Sequence, residues 1–173
     1  NCGLSSVRAG NVIGGGDWSK NRLIPDCIKS ILKDKKIIIR NPSFNRPWQH
    51  VLEPLNGYLI LAKKQFENPI KYSGAYNFGG DKKSSIKVKK IVELIIQFWG
   101  KGGIKLFNKN KFYEQKNLQL DSSKAKKILK WKKLYSTKKS VQITTEWYLK
   151  VINKKKGPED ITNSQIQNYM KEL

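Results

Sequence analysis

A short apolar strand that runs into a cluster of glycines and then a helix constrains this chain more than any other feature. Leu4 to Ala9 reads as a buried strand, Asn11 to Asp17 as the glycine-rich loop after it, and Leu23 to Leu32 as a helix. Ile24, Cys27, Ile28, Ile31 and Leu32 fall on one helical face. Pro25 fits only in the first turn, where its missing N–H costs little. Strand, loop and helix in that order imply α/β architecture, and such folds bind ligands beyond the carboxyl ends of their strands. The order Gly-x-Gly-x-x-Gly does not open a helix here, so the loop is not the dinucleotide fingerprint.

The rest of the chain keeps the same grammar. Ile37-Ile38-Ile39 is a β-branched strand stopped by Asn41-Pro42. Pro54 is expected to open a helix through Leu55, Leu59, Leu61, Ala62 and Phe66. Ala75 to Phe78 reads as a strand ended by Gly79-Gly80, and Ile104 to Phe107 as another. Ser85 is expected to cap a helix that Gly100 ends, and Ser122 or Ser123 one that runs to Trp131. Ser136 or Thr137 opens a helix with Val141, Trp147 and Tyr148, and a last one runs from Thr162 to Met170. Lys154 to Pro158 reads as an exposed hinge between these two. The strands are too few and scattered for a complete doubly wound sheet.

The formal net charge of +22 raises nucleic-acid binding as one function class. Its distribution argues against that class, because lysines are spread over the polar faces of ordinary amphipathic segments. Arg8, Arg22, Arg40 and Arg46 are the only arginines. A chain that prefers lysine keeps arginine where a planar, multi-donor cation is hard to replace. Arg22 stands at a helix start, whose free N–H groups and partial positive charge suit a phosphate. His50 is the sole histidine, and Cys2 and Cys27 lack metal-site spacing. No apolar run approaches the roughly 20 residues of a membrane span, and the first residues are not expected to be a signal peptide, since no basic segment precedes an apolar run.

Arg8-Ala9-Gly10-Asn11-Val12-Ile13-Gly14-Gly15-Gly16-Asp17-Trp18, Asn21-Arg22-Leu23-Ile24-Pro25 and Arg46-Pro47-Trp48-Gln49-His50-Val51-Leu52-Glu53-Pro54 together resemble the C-terminal half of CDP-glucose 4,6-dehydratases. Those enzymes belong to the extended short-chain dehydrogenase/reductases. The resemblance implies an α/β fold in which residues 1–173 form the last Rossmann strand or strands interleaved with a small sugar-nucleotide-binding domain. It implies a reaction from CDP-glucose to CDP-4-dehydro-6-deoxyglucose on a bound NAD. It also implies a homo-oligomeric enzyme; two cysteines are too few for a disulfide framework and fit a reducing cytoplasm, and no metal, membrane or nucleic-acid partner is expected.

The resemblance assigns roles residue by residue. Asn11 contacts the sugar nucleotide, with Ala9 and Gly10 lining the nicotinamide. Arg22 and Leu23 begin the helix that holds the substrate phosphates, and Arg46 binds the diphosphate. The strand carrying Ile38 and Arg40 passes beside the nucleobase. Asn77, in Tyr76-Asn77-Phe78-Gly79-Gly80, lies near phosphate or ribose. Glu114 and Lys116 fall near the ribose and phosphate, although Tyr113 and Asn117 stand where the family pattern has His and Tyr. Trp48 is read as packing, His50 as structural, Glu53 as a cap on the Pro54 helix, and Asp121 as a helix-entry residue.

No catalytic residue is assigned. The family's Tyr-x-x-x-Lys pair, Ser/Thr and acid/base carboxylates are expected upstream of residue 1, no tyrosine here is taken to fill that pattern, and this portion alone is expected to be inactive. A dTDP-, GDP- or UDP-sugar dehydratase or epimerase is the alternative within enzymes. A basic nucleic-acid-binding module is the alternative outside them.

Overall fold

A computed structural model describes residues 2–80, 85–107 and 119–173. The first strand is β1, Ser5–Ala9, and it pairs in parallel with β5, Gly74–Phe78, so that Val7 faces Tyr76 and Ala9 faces Phe78. Strand β2, Asn11–Ile13, pairs in parallel with β4, Asn45–His50, whose other edge takes β6, Ser85–Lys87, antiparallel. Strand β3, Ile37–Ile39, pairs in parallel with β7, Ile104–Leu106. Parallel pairing needs long crossovers, and helices supply them: α1, Leu23–Leu32; α2, Leu52–Glu67; and α3, Val88–Trp99. Helices α4, Ser123–Leu129, α5, Thr137–Ile152, and α6, Pro158–Lys171, complete the chain. The fold is mixed α/β with parallel strands, as the sequence implies.

Two cores form. The larger joins Ile24, Cys27, Ile28 and Ile31 of α1 with Ile91, Val92 and Ile95 of α3 and with Val141, Trp147 and Tyr148 of α5. The smaller holds Leu61, Tyr76, Phe78, Ala125, Leu129 and Trp131. Phe78 lies edge-on to Tyr58 and to Trp131, each with ring centroids 5.3 Å apart.

Several expectations need correction. The Leu4–Ala9 strand is present but not buried: the middle three residues of β1 face solvent, because only β5 pairs with it here. Asn11 to Ile13 is strand rather than loop, its backbone paired with β4. Leu32 points out of the α1 core face. Helix α2 begins two residues before Pro54, and Leu55, Leu59 and Phe66 are exposed rather than packed. Ser85 does not cap α3; it pairs with Pro47 in β6, and Lys87 is the cap residue. Ser122 does not cap α4 with its side chain; its hydroxyl donates to Gly79 O and accepts from Gly79 N–H. Helix α6 starts at Pro158, four residues before Thr162, with Gly157 as its cap residue. Ser136 does cap α5, accepting the Lys139 N–H at 3.1 Å.

Candidate functional site

A cavity of about 830 Å³ opens between β2, the first turn of α1, β3 and the start of β4. Asn11 lines it from β2, Arg22 and Leu23 from the start of α1, Ile38 and Arg40 from β3 and its end, and Arg46 from β4. These six residues, scattered over the first 46 positions, are thus brought to one concavity.

Physical chemistry explains how each arrives. Arg22 is the cap residue of α1 in extended conformation, with no side chain satisfying the first-turn N–H groups. Pro25 removes one donor, which leaves Leu23 and Ile24 at the cavity with uncapped amides. Arg46 is drawn inward because β4 is covered on nearly every position, and the residue is only 6 % exposed. Its Nη1 donates to Asn45 O at 2.9 Å, and its Cζ lies over the Phe44 ring, 5.3 Å from the centroid.

The lining is cationic. Arg22, Lys29, Lys33, Lys35, Arg40 and Arg46 contribute to it, against the carboxylates of Asp17 and Asp26. A low-dielectric cleft lined mostly by one sign of charge concentrates ligands of the other. Asp17 meets Arg22 at 3.5 Å. The Ser19 backbone N–H, more than Arg22, holds the Asp17 carboxyl below its ordinary value. Lys33 and Lys35 belong to the cavity although the sequence presents them as two more surface lysines. Their position at the turn between α1 and β3 was the available signal.

The glycine loop has a different job from the one its composition suggests. A Cβ on Gly15 would overlap the Trp147 indole ring of α5, and one on Gly14 would press on Val51. Close packing against α5 and the start of α2 therefore explains two of the three glycines without any phosphate. Tyr148 secures the same segment by donating to Asp17 O at 2.6 Å.

Other expected site residues lie elsewhere. Asn77 sits on β5 and donates to Asp121 O at 3.1 Å, outside the cavity lining. Ala9 and Gly10 mark the passage from β1 to β2 and do not line it either. Glu114 and Lys116 lie outside the described residues.

The cavity has the chemistry of a binding site. No His, Glu, Tyr or Thr is among its described lining residues. Cys27 is fully buried, and burial pushes its thiol up to about 12, which removes the thiolate. A Tyr-x-x-x-Lys spacing does occur in the chain, at Tyr135 and Lys139, contrary to the sequence reading. Tyr135 precedes the α5 cap, is buried against Tyr169 and His50, and lies off the cavity, so the two do not share a helical face there.

His50 and Glu53 support the structure from behind. Burial depresses His50 to about 4. Glu53 does not cap α2. Its carboxylate accepts the Leu134 N–H at 3.0 Å, the Tyr135 N–H at 2.7 Å and the Tyr169 hydroxyl at 3.1 Å. Burial nevertheless raises its pKa. Among the described residues no cluster of three or more His, Cys, Asp or Glu could hold a metal, and no helix is long and apolar enough to cross a membrane.

No family model matches the chain. It is 42 % identical over 147 residues, 84 % of its length, to CDP-glucose 4,6-dehydratase of Salmonella typhimurium, and spans 41 % of that relative. Its fold matches a dTDP-glucose 4,6-dehydratase from Bacillus anthracis solved with NAD, at a TM-score of 0.69 and 22 % identity over 84 % of this chain and 44 % of that one. It likewise matches a UDP-glucuronic acid 4-epimerase from Bacillus cereus solved with UDP-glucuronic acid and NAD, at 0.70 and 21 % over 84 % and 45 %. The chain spans less than half the length of each of these proteins.

Proposed function

We propose, for a chain homologous to CDP-glucose 4,6-dehydratase and sharing the Rossmann-type fold of sugar-nucleotide dehydratases and epimerases, that it is the sugar-nucleotide-binding part of such an enzyme. The whole protein would convert CDP-glucose to CDP-4-dehydro-6-deoxyglucose. The observation that carries this reading is the convergence of Arg22, Arg40 and Arg46 with Asn11, Ile38 and an uncapped helix start in one cavity.

In this reading Arg46 and Arg22 hold the diphosphate, the first as a buried fork and the second as an exposed cation at the mouth. The uncapped amides of Leu23 and Ile24 face the same anion. Asn11 contacts the sugar nucleotide, and β3 with Ile38 and Arg40 lies along the base. Asn77 would act from β5, and Glu114 and Lys116 from outside the described residues.

The dehydration draws its hydride chemistry from NAD, and here the described residues offer little. A Cβ on Gly10 would come within 3.1 Å of Pro47 O, so contact with β4 accounts for this glycine and no nicotinamide is needed to explain it. In this reading Ala9, Gly10 and Asn11 would line the nicotinamide, and most of the NAD contacts would come from outside this chain. The assignment to a homo-oligomer rests on the family resemblance, and that to the cytoplasm on the scarcity of cysteines.

The test is binding and turnover of CDP-glucose by the full-length protein, beside dTDP-, GDP- and UDP-glucose. Arg46→Ala should cost about 2–5 kcal/mol of ligand binding, the range for breaking a desolvated charge pair. Because the diphosphate is common to substrate and transition state, KM should rise more than kcat falls. An unchanged KM would discard the assignment.

A further inference from the structure

Phe44 played no part in the sequence reading, yet it stands in the cavity wall. Its backbone is fixed at both ends: its N–H donates to Asn41 O at 3.3 Å, and its carbonyl accepts the Val88 N–H at 2.9 Å. The second bond ties it to the first residue of α3, and Lys89 N–H adds a bond to Pro42 O at 3.0 Å. Phe44 cannot follow a ligand as a loose loop residue would.

Phe44 stands directly before β4, two positions from Arg46. The guanidinium carbon lies over the ring, 5.3 Å from its centroid. That distance is within the range of cation–π attraction, which for arginine uses the flat face of the group and leaves the N–H edge for hydrogen bonds. The neighbouring Asn45 carbonyl takes one Nη1 proton. A long, rotamer-rich side chain is thus held before any ligand arrives. Pre-ordering of this kind raises affinity by lowering the entropy lost on binding.

We propose that Phe44 is a positioning residue for the anionic part of the ligand: it presents the Arg46 guanidinium to a diphosphate. The inference rests on the sugar-nucleotide reading above and deepens it, because it separates recognition of the diphosphate from recognition of the base. In this proposal Phe44 acts through Arg46 rather than by its own contact with the ligand.

The test compares CDP-glucose, CDP and cytidine as ligands of the full-length protein by calorimetry. Phe44→Leu should weaken CDP-glucose and CDP by about 3- to 10-fold, the size of a partly desolvated cation–π contact. It should leave cytidine unchanged, since cytidine carries no phosphate. Phe44→Tyr should restore wild-type affinity by keeping the ring. In an Arg46→Ala background, Phe44→Leu should have no further effect. An equal loss for cytidine, or a full loss persisting without Arg46, would overturn the proposal by showing that the ring meets the ligand or only supports the fold. Normal CDP binding in Phe44→Leu beside lost binding in Arg46→Ala overturns this inference alone. Wild-type protein that binds neither CDP nor CDP-glucose overturns the functional reading, and this inference with it.

Discussion

The two cores of this molecule meet solvent differently. Around the cavity, α1, α3 and α5 turn their apolar faces toward one another, and even the glycine loop is packed against Trp147. The half built on β1, β5 and α2 has a small interior, centred on Phe78, and a bare exterior. Among the described residues, the four most exposed large apolar side chains all belong to this half or its flanks: Phe66 at 92 %, Leu4 at 82 %, Leu59 at 72 % and Ile70 at 71 %. Exposed apolar side chains of this size are the material of which association surfaces are made. The contrast teaches that the half around the cavity covers most of its apolar residues by its own contacts, whereas the other half leaves several of its largest apolar side chains in solvent.

What they share is a small set of buried polar contacts. Gln49 on β4 donates to Phe78 O on β5 at 2.7 Å. Trp131 donates to Glu53 O at 3.1 Å, while the Glu53 carboxylate collects the two N–H groups before α5 and the α6 tyrosine. Glu53→Ala is therefore the largest way to break the comparison. It would leave two buried donors and one part-buried donor without their acceptor, the buried ones costing about 1–3 kcal/mol each, for a loss of about 3–5 kcal/mol. Urea unfolding followed by tryptophan fluorescence should then lose its single transition, with the Trp131 half melting first. A midpoint equal to wild type would show that the halves do not depend on this carboxylate.

The second test is pH. His50 is held neutral by burial, its pKa depressed from 6.5 to about 4. The unfolded chain takes up a proton as pH falls through 6.5, and the folded one does not until about 4. Stability from this residue is therefore full above pH 6.5 and is lost progressively down to about pH 4, about 3 kcal/mol in all. The raised Glu53 carboxyl works the other way: it favours the folded state at low pH and gives up that advantage as pH rises through its folded pKa. His50→Gln should flatten the acid limb of a stability–pH curve measured by urea melts. A curve of unchanged slope would mean that His50 titrates normally.

The smallest effect on stability, and the most direct on the exposed half, comes from Leu59→Lys with Phe66→Lys. Both side chains stand out in solvent, so folding should change by no more than about 0.5 kcal/mol. Self-association of the 173-residue chain, read by sedimentation velocity, should fall sharply. Association that is unaffected would remove α2 as the contact surface.

How much of this was legible depends on where each residue finds its partner. Helix α1 could be read because Ile24, Cys27, Ile28 and Ile31 follow a local period and Pro25 fixes the register. Strand β4 could not, because Asn-Arg-Pro-Trp-Gln-His neither alternates nor looks apolar, although five of its six residues are buried. Its burial is made possible by distant partners such as Phe78 O for Gln49. Glu53 was misread for the same reason: an acidic residue before a helix proline suggests a cap, and its real partners lie 81, 82 and 116 residues away. Arg22 and Arg46 were identifiable as candidates from arginine scarcity. That they share a cavity with Lys33, Lys35 and Phe44 is a fact of tertiary structure.

Cys27 gives this architecture a chemical clock. Its sulfur is buried on the inner face of α1, beside the cavity, and is held as an unreactive thiol, while Cys2 is exposed. Alkylating reagents will meet the exposed Cys2 directly and reach Cys27 only when α1 lifts away. The two cysteines thus time two separate events in one molecule, and a ligand that fastens α1 to the β-strands will slow the second without touching the first.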